Sequence, residues 1–195
     1  MLQEQFKDNR LNWSTGTSDG PSALEKETIS GGKYIWEFTS KKDLGSFSFP
    51  DMAIKKDVYI SVDLLISTTG QSNDEKAGIV FRNSDKNNSF YFFGISPNGG
   101  FSLSMYDGSS SQKKSHWSNL YKSTQTETIK PDEINHLVVS MEGNQIIMAI
   151  NDQIVGSQED SSLTSGTAGL GLNFSGGGIT TKATFSNFVV RSPEK

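Results

Sequence analysis

From residue 33 onward, apolar and polar side chains alternate with a period of two along almost the whole chain. Tyr34, Trp36 and Phe38 fall on one side against Ile35 and Glu37. Ile60, Val62, Leu64 and Ile66 alternate with Tyr59, Ser61, Asp63 and Leu65, and Phe101, Leu103 and Met105 with Ser102, Ser104 and Tyr106. Leu170, Leu172 and Phe174 alternate with Gly169, Gly171 and Asn173. Successive side chains of a strand point to opposite faces, so each run describes a strand buried on one face. No segment carries the stripe of an amphipathic helix of three turns. Turn signals separate the runs at Pro97-Asn98-Gly99-Gly100, Glu142-Gly143-Asn144, Asn151-Asp152 and Gly176-Gly177-Gly178, and those at 143–144 and 151–152 predict consecutive hairpins. The pattern predicts about a dozen short strands in an all-β antiparallel sandwich rather than a βαβ fold. Residues 14–30, 68–76, 107–116 and 157–166, rich in Ser, Thr, Asn, Asp and Gly, are expected to be loops.

A chain of 195 residues fits one β-sandwich domain spanning 1–195, with 192–195 reading as the start of a linker. The 19 Gly and 12 Phe suit strands and turns. The net charge of −4, with no cluster of Lys and Arg along one face, gives no electrostatic footprint for nucleic acid. The absence of cysteine excludes thiol catalysis, thiolate metal sites and disulfides. No stretch approaches the ~20 apolar residues of a membrane span, so no membrane insertion is expected. The opening MLQEQFKDNRLNWSTG has no apolar leader, which fits either a cytosolic protein or a piece of a longer exported chain, and the RSPEK end, reading as a linker, favours the second.

The order of motifs carries a resemblance. Phe6 and Trp13 are followed by GIVFR (78–82), SFYFFGISPNGGFSL (89–103), a strand at Trp117, INHLVVSMEGNQIIMAINDQIV (134–155), GTAGLGL (166–172) and ATFSNFVV (183–190). This series resembles concanavalin-A-like jelly-roll domains, and more narrowly is similar to LamG-like bacterial extracellular modules related to the 3-keto-disaccharide hydrolase family. The resemblance implies two stacked antiparallel sheets, one convex and one concave, with ligands on the concave face or at its rim. It implies an extracellular or cell-surface location and no single activity, because such modules include sugar binders, adhesive domains and hydrolases. The chain departs from the family at Ser89-Phe90-Tyr91, where Asn-Phe-Tyr is common, at Asn151-Asp152 for Asn-Gly, and at Ser186-Asn187 for Asp-Asn.

Laminarinase-type glucanases carry both carboxylates on one strand as Glu-x-Asp-x-Glu, and glycosidases need them roughly 5 to 9.5 Å apart. No such string occurs here. Asp74-Glu75, Asp132-Glu133 and Glu159-Asp160 lie in polar segments and read as solvated. His116 and His136, the two histidines, belong to no metal-ligand spacing, and His136 is expected to face outward near a strand start. Trp13 and Trp36 are expected in the core. Five residues form the candidate ligand platform: Tyr91, Tyr106 and Trp117 to stack on a sugar ring, with Arg82 and Asp63 to bond its hydroxyls. The bland alternative pairs Arg82 with Asp63 or Asp85 as scaffold. A structural calcium could draw on Asp85, Asn87, Asp107 and Asp152, which have no diagnostic spacing. The expectation is therefore a non-catalytic exported accessory module that binds carbohydrate or a cell-surface glycan, with an adhesion domain or a glycoside-active hydrolase as the alternatives.

Overall fold

The computed structural model describes residues 1–69, 75–84, 87–109 and 116–193, apart from the side chain of Ser123. Among them are fifteen strands and no helix: β1 (Leu2–Glu4), β2 (Gly16–Asp19), β3 (Ala23–Ser30), β4 (Lys33–Ser40), β5 (Leu44–Ser48), β6 (Val58–Thr69), β7 (Lys76–Ser84), β8 (Ser89–Ile95), β9 (Gly100–Tyr106), β10 (Trp117–Gln125), β11 (Asn135–Glu142), β12 (Gln145–Ile150), β13 (Gln153–Glu159), β14 (Thr167–Phe174) and β15 (Thr180–Arg191). They form a nine-stranded sheet in the order β13-β12-β11-β6-β15-β4-β3-β2, with β1 beside β15, and a six-stranded sheet in the order β10-β9-β8-β7-β14-β5. Every strand pairing is antiparallel, and the expected all-β two-sheet sandwich is the observed fold.

The period-two runs bury their apolar sides between the sheets. Trp36, Phe38, Ile60, Val62, Leu64, Leu137 and Val139 from the larger sheet meet Ile79, Phe81, Phe93, Leu103, Leu170 and Leu172 from the smaller, all fully buried. Trp13 packs in the core as expected, edge-on to Phe188 with ring centroids 5.4 Å apart. Both predicted hairpins form: Gly143-Asn144 joins β11 to β12, and Asn151-Asp152 joins β12 to β13. Asn151 and Asp152 both adopt left-handed backbone, with φ of 49° and 64°, the geometry whose twist matches paired strands.

The expected loop over 14–30 is corrected to two strands. β3 pairs along its whole length with β4, and β2 closes the sheet edge. The inward side of β3 carries Glu25 and Glu27 in place of apolar residues. The carboxylates instead accept from core groups: Glu27 from the Tyr34 hydroxyl at 3.0 Å, and Glu25 from Ser46 Oγ at 2.7 Å and Trp36 Nε1 at 3.4 Å. Residues 157–159 likewise extend β13 rather than open a loop. Of the other expected loops, residues 70–74 and 110–115 lie outside the described residues.

Burial pushes the Glu27 carboxyl above its ordinary value, against the opposing Tyr34 hydrogen bond. A raised carboxyl means that the folded state holds the proton more tightly than the unfolded state, so this residue's contribution falls as pH rises above about 4.5. Glu27→Gln keeps an acceptor for Tyr34 and removes the buried charge. Its melting temperature should match the native chain near pH 4 and exceed it increasingly towards pH 7. Thermal melts across this range that show no widening gap would contradict this account of Glu27.

Candidate functional site

The five residues of the expected platform do not share a face. Arg82 and Tyr91 lie inside, Asp63 lies on the outer face of the nine-stranded sheet, and Tyr106 and Trp117 lie together on the outer face of the six-stranded sheet. The expected outward position of Arg82 is corrected by a bulge. Strict alternation would turn Arg82 away from Phe81, but the β7–β8 register slips after Phe81 and Arg82 takes φ of 50°. Its side chain is 1% exposed and donates to three carbonyls: Nε and Nη2 to Lys56 at 3.1 and 2.7 Å, Nη1 to Leu163 at 2.6 Å, and Nη2 to Gly143 at 2.8 Å. Asp57 lies 3.8 Å from it, Asp63 is on the far face of the other sheet, and Asp85 lies outside the described residues. Burial lowers the Arg82 pKa from its ordinary value, with Tyr91 and Asp57 pushing it back up.

Tyr91 is buried beside it. Its hydroxyl donates to Asp160 Oδ1 at 2.5 Å and accepts from the Leu163 N–H at 3.0 Å, which fixes the segment between β13 and β14. Burial raises the phenol pKa, and donation to Asp160 raises it further, so Tyr91 stays a donor at neutral pH. Asp63 is tied down on the opposite side of the sandwich by His136 Nδ1 at 2.6 Å and Asn187 Nδ2 at 2.7 Å. His136 faces outward as expected, and Asn187, at φ of 52° in the β15 bulge, supplies a partner that strand periodicity does not reveal.

Tyr106 and Trp117 are cross-strand partners with ring centroids 5.2 Å apart. Around them lies an aromatic slab whose members the alternation had placed elsewhere. Tyr91 and Phe93 prove to be the core side of β8, so Phe90 and Phe92 are its outer side, where they form a second cluster with Val80, Phe47, Phe49, Tyr106 and Trp117. Phe90 stacks on Tyr106 at 5.1 Å and meets Phe47 at 4.5 Å. Phe47 reaches across from the edge strand β5 because the register aligns Gly171, Gly78 and Gly94 in a row across β14, β7 and β8. A Cβ at Gly171 would stand 2.5 Å from Phe47 Cδ1, and one at Gly94 2.7 Å from Phe92 Cε1. The rings therefore lie on bare backbone. The sequence signal was present: GSFSF over 45–49 alternates like a strand whose outward residues are Phe47 and Phe49, and GLGL over 169–172 offers the bare face.

Above the slab opens a cleft of about 610 Å³, walled by Phe47, Phe49, Phe90, Tyr106 and Trp117 and edged by Asp43, Asn88 and His116. His116 stacks on Tyr106 at 5.4 Å, and its Nδ1 lies 2.7 Å from the Asp107 carbonyl. A carbonyl only accepts, so Nδ1 donates and Nε2 is left for another partner. Asp43 receives the Gly176 N–H on Oδ1 and keeps Oδ2 open. The cleft thus joins apolar ring faces to a few separate polar groups, the composition of a small-molecule site. Of the calcium candidates, Asp85 lies outside the described residues, Asp107 Oδ1 is engaged by the backbone and hydroxyl of Ser109, and Asp152 sits in the β12–β13 turn of the other sheet. Among the described residues no three His, Cys, Asp or Glu side chains gather.

No protein-family model and no curated protein matches the chain. Solved structures do. The chain is similar to the carbohydrate binding module CBM66 from Bacillus subtilis, at 20% identity and a TM-score of 0.64, over 94% of this chain and 98% of that one. It is similar to a structure reported with endo-acting O-glycanases of the human gut microbiota, at 9% identity and a TM-score of 0.65, over 100% and 99% of the two chains. It also resembles a GlcNAcα1-4Gal-releasing endo-β-galactosidase from Clostridium perfringens, at 10% identity and a TM-score of 0.62, covering 96% of this chain and 62% of that one. At such identities the likeness shows the fold, a two-sheet antiparallel β-sandwich of the concanavalin-like kind.

Two outcomes follow. Arg82→Met removes the guanidinium from one buried carbonyl, Leu163, and two part-buried ones, Lys56 and Gly143, and should lower unfolding stability by about 2–3 kcal/mol; urea denaturation showing a loss below ~1 kcal/mol would mean that the clamp is dispensable. Gly171→Ala should abolish the ring–ring NOEs between Phe47 and Phe90 while the chain stays folded, whereas retained NOEs would show that the ring does not need bare backbone.

Proposed function

We propose that this chain is a non-catalytic carbohydrate-binding module whose site is the aromatic cleft on the outer face of the six-stranded sheet. The observation that carries the reading is the half-exposed pair Tyr106 and Trp117, rigidly backed by Phe90 and bordered by Asn88, His116 and Asp43. Sugar rings present apolar C–H faces that stack on aromatic planes, and their hydroxyls both donate and accept, as this rim does. The similarity to CBM66 over nearly the whole of both chains supports the same class. Asp43 is the single carboxylate among the described residues lining the cleft, whereas retaining and inverting glycosidases act with two. The glycosidase-like neighbours therefore argue for a shared scaffold rather than shared chemistry. In this reading the chain serves as an accessory module of a larger exported protein, extracellular or at the cell surface, similar to the LamG-like modules related to the 3-keto-disaccharide hydrolases. Its ligand is a glycan, and no cofactor enters the contact.

A glycan array of the purified chain, run with calcium and then with a chelator, should give hits that survive chelation. Trp117→Ala should weaken the best hit about tenfold, or ~1.4 kcal/mol, while the chain stays folded with a modestly lowered melting temperature. An array without hits, or hits unmoved by Trp117→Ala, would sink the proposal; hits lost on chelation would move recognition to a calcium site in the loops.

A further inference from the structure

The aromatic cleft holds a carboxylate that ring stacking does not use. Asp43 is exposed at the edge of the cleft, directly before β5, and its Oδ1 accepts the Gly176 N–H at 2.5 Å. The glycines at 176–178 build that contact. Gly176 and Gly178 take φ of 103° and 83°, which side chains rarely adopt, and a Cβ on Gly177 would stand 2.5 Å from the Lys41 carbonyl oxygen. The Gly178 N–H donates to the Ser40 carbonyl at 2.7 Å, so the turn is fastened to the segment that carries Asp43. Oδ1 is thereby fixed, while Oδ2 faces outward. Lys41 is engaged elsewhere, its Nζ donating to Asp19 Oδ1 at 2.5 Å and to the Gly20 carbonyl at 2.9 Å. Among the described residues Asp43 enters no ion pair.

The ring faces begin beside this carboxylate. Phe47 folds back over Gly45, where a Cβ would stand 2.7 Å from Phe47 Cζ, so its ring reaches towards the Asp43 end of the strand. Phe47 meets Phe90 at 4.5 Å and Trp117 at 6.1 Å, and Tyr106 meets Trp117 at 5.2 Å, which carries the aromatic wall across the cleft. A carboxylate and several aromatic faces in one cleft both favour positive charge, the first by ion pairing and the second through the ring quadrupole. A sugar carrying only hydroxyls leaves the charge of Asp43 unmatched, and a carboxylated or sulfated sugar sets like charge against it. A sugar with an apolar C–H face, hydroxyls and a protonated amine matches the rings, the rim and the carboxylate together.

We propose that the aromatic cleft selects glycans containing an amino sugar with a free, protonated amine, whose ammonium pairs with Asp43 Oδ2 while its C–H face rests on the rings. The proposal rests on the carbohydrate reading above and adds the charge of the ligand to it. The test is a ¹⁵N–¹H NMR titration of the whole chain at about pH 6.5, where amines are charged and carboxylates ionised. The probes are the methyl glycosides of glucosamine, N-acetylglucosamine and glucose to ~20 mM, which reaches millimolar affinity. The glucosaminide should bind about fivefold more tightly than the other two, with shifts at Asp43, Phe47, Tyr106 and Gly176. Asp43→Asn keeps an oxygen for the Gly176 N–H and removes the charge. This variant should melt like the native chain and bring the three affinities within about twofold of one another. A preference that survives Asp43→Asn would overturn the role of Asp43 and leave it as a fastening for the turn. Equal affinities in the native chain would overturn amine selection and leave the carbohydrate reading standing. No shift with any probe would also overturn it, and hits on the array would then uphold the carbohydrate reading alone. Shifts of the same size from tetramethylammonium chloride would show that a bare cation suffices and overturn the amino sugar as the ligand.

Discussion

The Arg82 guanidinium is the interaction on which the working end of this sandwich depends. It draws together the carbonyls of Lys56 ahead of β6, Gly143 in the β11–β12 hairpin and Leu163 ahead of β14. Two of these belong to the larger sheet's connections, while Arg82 itself projects from the smaller sheet, so one side chain joins the two layers where hydrophobic packing gives way to loops. A planar cation with five donors suits this task, since carbonyls converging from different directions leave no room for separate partners. The Asp57 carboxylate stands 3.8 Å away and also receives the Gly143 N–H, so the hairpin turn is held through both its polar backbone groups. Tyr91 and Asp160 repeat the device one step further out.

The clamp also explains how two different surfaces coexist on the six-stranded sheet. Inside, Phe81, Tyr91 and Phe93 complete the main core; outside, Phe90, Phe92 and Val80 start a second cluster. β8 is buried on both faces, which is uncommon for a strand in an antiparallel sheet with a solvated side. Rings from β5 and β10 cover it, and glycines on β14 make room for them. Aromatic faces mounted this way have little freedom to lose when a flat ligand arrives, so stacking is opposed by less entropy than a flexible surface would impose.

How far the sequence reveals this can be judged residue by residue. Period-two alternation disclosed the sandwich, the Trp13 and Trp36 core and both hairpins, because one-sided burial writes itself directly into the pattern. It also disclosed Tyr106 as outward. It misplaced Tyr91 because β8 is apolar at every position from Phe90 to Phe93, so alternation cannot choose its face; the pairing of Tyr91 with Phe81's side of β7 decides it. It misplaced Arg82 because the bulge adds a half-step that only the left-handed backbone at that residue reveals. It concealed β3 because the polar composition of 14–30 reads as loop, whereas the inward Glu25 and Glu27 find partners in Ser46, Trp36 and Tyr34. In each failure the missing information was a partner distant in the chain.

That pattern bears on where recognition can reside in such a fold. The strongest-looking polar residue, Arg82, is spent on architecture, and Asp63 is held by His136 and Asn187. Binding capacity falls instead to the aromatic slab, where Tyr106 and Trp117 line the cleft. Satisfied buried polar groups specify the structure, and half-exposed aromatic faces are left to meet an apolar ligand surface.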